Sequence, residues 1–190
     1  MIRVLGAIFV CLGLANGARA ATLDGVTFPD TYPLAGETLV LNGIGVRTMT
    51  IFNVKVYVAG LYLKRKSQDP QAIMASPEPK VVLLQFLHSG SKADIEREYR
   101  DGEKTNCGDG SCPAADAADF DRLVAVSDAV KVGDTSTFII TNKGMRVYAN
   151  QKMIAEFANP DLGRRILAGF IGAHPPTPTL RDHLLGQSLD

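Results

Sequence analysis

Four polar side chains have the type and the surroundings to do chemistry: Arg47, Tyr57, Tyr99 and Asn106. Arg47 stands among mostly hydrophobic residues in the stretch LNGIGVRTMTIFNVKVYVAGLYL, from Leu41 to Leu63. A guanidinium in such company needs an anion or a carboxyl partner, because burying it alone is very costly. Its planar fork suits a bidentate grip on a ligand carboxylate. Composition alone favours the plainer alternative, an internal ion pair with an Asp or Glu. Tyr57, in the next apolar run, can donate to a carboxylate or polarise a carbonyl, although a strand tyrosine is more often core with a hydrogen-bonded tip. Tyr99 and Asn106 fall with Ile95 and Gly102 at helical spacing on one face, from which both can overlook a sheet. A tyrosine on such a stripe is, taken alone, more often core.

His88, His174 and His183 are scattered, and no acid or nucleophile stands at a catalytic spacing to any of them. A single histidine can still serve as an axial haem ligand. Cys107 and Cys112 lie in NCGDGSCP. In an exported chain this pair reads as a local disulfide. With no second cysteine pair and no neighbouring histidine a metal site is disfavoured, and the spacing does not fit the usual redox motif. No metal and no cofactor is implied.

These residues need strands and helices to position them. Thr22 to Phe28, Glu37 to Leu41, Val46 to Ile51 and Val54 to Lys64 are predicted as strands, and Val81 to Leu87 as a strand buried on both faces. If strand parity runs unbroken from Leu39 through Gly43 and Gly45, Arg47 shares the face of Leu39 and Leu41; a bulge at the glycines would spoil that count. Pro70 to Ala75 is a short helix after the N-cap Asp69. The Tyr99 helix follows Ser91, and Ala115 to Val130 reads as a second helix with Phe120, Leu123, Val124 and Ser127 on one side. Thr135 to Thr141, Met145 to Ala149 and Lys152 to Phe157 form a meander with turns at Asn142-Lys143-Gly144 and Asn150-Gln151. A helix opens at Asn159-Pro160 and closes at Gly172, and Thr179 to Leu185 is a last short helix. Helices gathered beside an antiparallel sheet make an α+β layer fold. No Gly-rich phosphate loop follows a strand, which disfavours nucleotide binding.

Residues 1–20 read as a signal peptide: Arg3, an apolar stretch from Val4 to Leu14, and the small-residue ending Ala18-Arg19-Ala20. That stretch is too short to span a membrane, and no later segment qualifies. Residues 21–190 then form one domain, periplasmic or secreted. The chain has 20 basic and 20 acidic residues; without Arg3 and Arg19 the balance is 18 against 20, a net charge of −2. There is no basic surplus for nucleic acid or an anionic membrane.

GIGVRTMTIFNVKVYVAGLYL resembles the signature segment of the chalcone isomerase fold superfamily, in its bacterial exported chalcone isomerase-like branch. The Tyr99 helix, the meander and the ending FIGAHPPTPTLRDHLLG keep the family's order. The resemblance implies an open-faced β-sandwich, a large antiparallel sheet with helices layered on it and a ligand cleft between. The family's isomerases use an arginine, a threonine on the following strand, a tyrosine, lysine and asparagine on a helix, and further residues on a late helix. Arg47, Tyr99 and Asn106 match that pattern. Tyr57 takes the strand threonine's place, Gly102 the lysine's, and Gly169 and Phe170 the late-helix positions. Most donors for stabilising an enolate are therefore missing. Arg47 with Tyr57 is similar instead to the pair by which the family's fatty-acid-binding members hold a carboxylate.

The expected function is non-catalytic binding of a fatty acid or similar amphiphilic carboxylate, with Arg47, Tyr57, Tyr99 and Asn106 lining the cleft. The alternatives are an isomerase or lyase acting on a phenolic enone, and a haem-binding or envelope interaction protein.

Overall fold

Alternating apolar residues in the first third of the chain do form strands, and the turns between them decide the topology. In the computed structural model, which describes residues 20–49, 52–107 and 112–187, β1 (Ala20–Leu23) and β2 (Val26–Pro29) make a separate hairpin. The single strand expected over Thr22 to Phe28 is thus two. Asp24 and Gly25 both take left-handed backbone angles, φ 50° and 79°, and fold the chain back on itself. Apart from Ala20, the expected signal peptide lies outside the described residues.

The main sheet has seven antiparallel strands in sequence order: β3 (Thr31–Leu34), β4 (Glu37–Met49), β5 (Val54–Leu63), β6 (Lys80–Phe86), β7 (Thr135–Thr141), β8 (Gly144–Ala149) and β9 (Lys152–Phe157). The two strands expected over Glu37 to Leu41 and Val46 to Ile51 are one, since the glycines between them stay in the ladder; Ile51 itself lies outside the described residues. α1 (Pro70–Ala75) joins β5 to β6, α2 (Lys92–Asn106) and α3 (Ala114–Val126) join β6 to β7, and α4 (Pro160–Ile171) and α5 (Pro178–Leu184) complete the helical layer. Asp69, Ser91 and Asn159 cap α1, α2 and α4 through side-chain acceptors. α3 is shorter than expected. It stops at Ser127, which leaves the helical region, and Val130 goes on to pair with Gly90 as a β-bridge.

One irregularity in β4 positions the site. Leu41 pairs with Tyr62 and Gly43 with Leu61, so Asn42 is an extra residue and the side-chain alternation slips by one. The bulged Asn42 is buried and well bonded: its amide donates to the Ser67 and Leu184 carbonyls, at 2.9 and 2.7 Å, and its oxygen accepts from the Ser67 N–H at 2.8 Å. Leu39 and Leu41 therefore face the β1–β2 hairpin, in a core with Val26, Phe28, Val58 and Tyr62. Gly43, Gly45 and Arg47 face the helices. Arg47 does not share the face of those leucines, because the bulge intervenes. Gly43 and Gly45 are needed where they stand: a Cβ at either would run into the α5 backbone at His183 or Leu180. The larger core fills the space between the helix face of the sheet and the helices, with Leu61, Leu84, Phe138, Leu162, Leu167 and Leu180 among its members.

Candidate functional site

Arg47 and Tyr57 are direct partners across the β4–β5 ladder, so both side chains leave the same face of the sheet. Arg47 is 9% exposed and its donors are divided between two sides. Nη1 donates to the Thr48 carbonyl at 2.6 Å, to Thr177 Oγ1 at 3.2 Å and to the Pro176 carbonyl at 3.5 Å. Nε and Nη2 reach the carboxylate of Glu98 on α2, at 3.4, 3.2 and 3.3 Å. The internal ion pair that composition favoured therefore exists. Its partner, Glu98, lies just before Tyr99 and off the Ile95–Tyr99–Gly102–Asn106 stripe, so periodicity gave no reason to single it out. The contacts are longer than the ~2.7–2.9 Å of a tight charge-assisted pair. With a side chain 45% exposed, Glu98 holds a surface position rather than a core one.

Tyr57 is buried beside Arg47, its partner across the ladder. Its ring meets Phe86 edge-on at 5.9 Å and leans against Phe170 at 6.4 Å. Burial above all pushes its hydroxyl pKa well above the usual tyrosine value; the charge of Glu98 adds to this and Arg47 pulls back. Tyr99, on α2, is raised the same way, chiefly by burial, while a hydrogen bond with Ser127 opposes the rise. Both remain neutral phenols at physiological pH and so act as hydrogen-bond donors.

Asn106 closes α2. Its amide donates to the Gly102 carbonyl at 2.9 Å, and its own backbone carbonyl accepts from Arg165 of α4 at 2.8 Å. Arg165 also bonds the buried Asp116 of α3 at 2.6 Å, which the N-cap Asn159 contacts at 2.9 Å. Burial would raise the Asp116 pKa, but hydrogen bonds from Asn159 and Arg165 outweigh it and hold the carboxyl below its ordinary value. This network ties α2, α3 and α4 together at the Asn106 end. The next residue, Cys107, is joined to Cys112 by a disulfide with a Cα–Cα distance of 4.7 Å.

All four sequence-predicted residues line one cavity of about 910 Å³ between sheet and helices. Its size falls within the ~300–1,000 Å³ of small-molecule sites. Val56, Leu84, Phe86, Phe138, Val147 and Ile166 supply apolar wall, whereas Arg47, Tyr57, Glu98 and Tyr99 supply polar groups. Gly102 of α2 and Gly169 of α4 also line it, where the resemblance to the isomerases would place a lysine and a late-helix side chain. Of the histidines, His88 and His174 reach the cavity and His183 does not. Among the described residues no three His, Cys, Asp or Glu side chains gather as a metal site, and no helix is long and apolar enough to cross a membrane.

Such a cavity can take an elongated apolar molecule and offer its polar end an arginine fork and phenol donors. The chain's relatives bear on that description. A structure with a similar fold is that of a fatty-acid binding protein from Arabidopsis thaliana, with a TM-score of 0.73 and 14% identity over 88% of this chain and 96% of the other. A search of curated proteins finds no match. The profile of one protein family, described as chalcone isomerase-like, matches residues 20–186. A match over that much of the sequence, joined to the seven-stranded sheet and its helical layer, means that the chain belongs to the chalcone isomerase-like family.

Proposed function

We propose that this protein binds a fatty acid or a similar amphiphilic carboxylate without chemically changing it. The observation that carries this reading is the cavity itself: about 910 Å³ of mostly apolar wall with Arg47 and Tyr57 side by side on it. The acyl chain lies against the apolar side chains, and the carboxylate meets the Arg47 fork and the Tyr57 hydroxyl. Tyr99 and Asn106 line the helix side.

Glu98 gives this reading its mechanism. It occupies the Nε–Nη2 edge of Arg47, the edge a ligand carboxylate would use. Because Glu98 is half-exposed and its contacts are long, a ligand carboxylate replaces it at the fork while Glu98 turns to water. Arg47 keeps its Thr48 and Thr177 bonds throughout, so the fork stays oriented. Similarity in fold to a protein named for fatty-acid binding supports the ligand class. The protein acts outside the cytoplasm, a reading supported by the leader-like residues 1–20 and by the disulfide.

The test is native mass spectrometry and lipid extraction on purified protein, followed by titration with laurate and palmitate. Losing the charge-assisted hydrogen bonds in Arg47→Ala should weaken binding by roughly 10–100-fold. Equally weak binding by wild type and variant would refute the proposal.

A further inference from the structure

Among the described residues six large apolar side chains are exposed: Met49, Phe52, Val54, Val126, Val132 and Met153. They come from four separate segments, yet the fold gathers them at one end of the sheet. β4 ends there with Met49 paired to Val54, the first residue of β5, and Phe52 lies in the turn between. β6 ends there too, where the Gly133 N–H, next to Val132, donates to the Phe86 carbonyl at 2.9 Å. Val126 closes α3 shortly before Val130, which bridges to Gly90 just past that strand end. Met153 follows the β8–β9 turn, whose Asn150 amide donates to Asp134 at 3.0 Å. Single apolar side chains on a surface are ordinary, but six collected on one rim mark a contact surface. The rim is also a mouth of the cavity: Met49, Val54 and Val126 line both, and Asn150 and Lys152 line the cavity from the β8–β9 side. Lysines flank the apolar side chains, with Lys55 after Val54, Lys131 before Val132 and Lys152 before Met153, all three exposed. Lys55 pairs with Asp24, whereas Lys131 and Lys152 form no ion pair among the described residues. The nearby acids Asp128 and Asp134 accept from the backbone N–H groups of Ala129 and Lys131, which leaves the ammonium groups to reach outward.

We infer that this rim docks on the surface of an anionic lipid bilayer. Phe52, Val132 and Met153 enter the headgroup region, the lysines stay at the phosphates, and the cavity opens toward the lipid. The choice of partner rests on the fatty-acid reading, since long-chain acids partition into membranes and a binder whose mouth meets the bilayer loads there. A second copy of the chain suits the rim less well, because two such rims face to face would gather both sets of lysines in one contact. The chain carries no net basic charge to steer it, so apolar insertion supplies most of the affinity.

The chain contains no tryptophan, so Phe52→Trp, Val132→Trp and Met153→Trp each introduce a single fluorophore. Lys143→Trp, between β7 and β8 at the other end of the sheet, is the control. With vesicles of phosphatidylcholine and phosphatidylglycerol, the three rim variants should shift their emission to the blue and be quenched by brominated acyl chains. The Lys143→Trp protein should do neither. In vesicle sedimentation, Phe52→Ser combined with Val132→Ser should weaken binding about tenfold or more. Neither residue lines the cavity, so the double variant should bind laurate from solution as wild type does. Laurate binding with all three rim variants silent on vesicles would overturn the inference and leave the fatty-acid reading in place. Quenching of the rim variants by vesicles, without laurate binding by wild type, would uphold the docking surface and overturn that reading. Wild type that ignores vesicles but dimerises, and that becomes monomeric with Phe52→Ser and Val132→Ser, would assign the rim to a second copy and overturn the inference.

Discussion

At the residue scale the site turns on Arg47, whose fork has two claimants. Glu98 holds it in the structure, and under the proposed function a ligand carboxylate would take the same edge. Arg47 is buried, but the Glu98 carboxylate is half in water and its contacts are long, so Glu98 is a weak competitor. Glu98→Gln should therefore strengthen laurate binding by roughly twofold to fivefold, measured by calorimetry. A loss of affinity would mean that Glu98 orients Arg47 rather than competing for it. The need for an acid partner was legible in the sequence, because a guanidinium among apolar residues demands one. Which acid it would be was not legible, since Glu98 reaches Arg47 across 51 residues and lies off its helix's apolar stripe. The four residues singled out from the sequence do line one cavity, Arg47 and Tyr57 because a cross-strand pair holds them on one face and Tyr99 and Asn106 because a helical period does.

At the element scale, α2 carries Glu98, Tyr99, Gly102 and Asn106, yet none of its own residues is fully buried. It is held instead by attachments: the capping box at Ser91, the Arg100–Asp121 ion pair, the Arg165 bond to the Asn106 carbonyl, and the disulfide at its C-cap. A helix with so little buried surface should open locally at low cost once one attachment goes. Reducing the Cys107–Cys112 bond should speed amide exchange in α2, leave exchange in β5 and β6 unchanged, and weaken ligand binding. Unchanged exchange in α2 would show that the other attachments suffice. The helix and its facing residues followed from sequence period alone. The bulge at Asn42 did not: it depends on hydrogen bonds to Ser67 and Leu184, distant partners that no local pattern announces. With that bulge the face on which Arg47 lies changes, and so does the wall it belongs to.

At the scale of the whole molecule, the sheet keeps one face for the β1–β2 hairpin and gives the other to the helices and the cavity. The antiparallel order was readable because each strand follows its neighbour in sequence, joined by short turns or a helical excursion. The fold also sets a pH response. Tyr57, Tyr62 and Tyr99 all have hydroxyls raised above the ordinary value of 10.0, in each case first by burial. A group raised in the folded state keeps its proton there while the unfolded chain loses it. Stability from these tyrosines is thus fully present below about pH 10 and declines as pH rises beyond it. Denaturant unfolding should give a flat ΔG from neutral pH to about 9 and a falling one above about 10. A fall already complete by about pH 9 would place the cause in other groups.

The fatty-acid reading is tested most directly by a crystal structure of the protein grown with laurate. The expected result is elongated density in the cavity, its carboxylate on the Nε–Nη2 edge of Arg47 within hydrogen-bond reach of Tyr57, with Glu98 swung outward. An empty cavity at saturating laurate, with Glu98 still paired to Arg47, would contradict it.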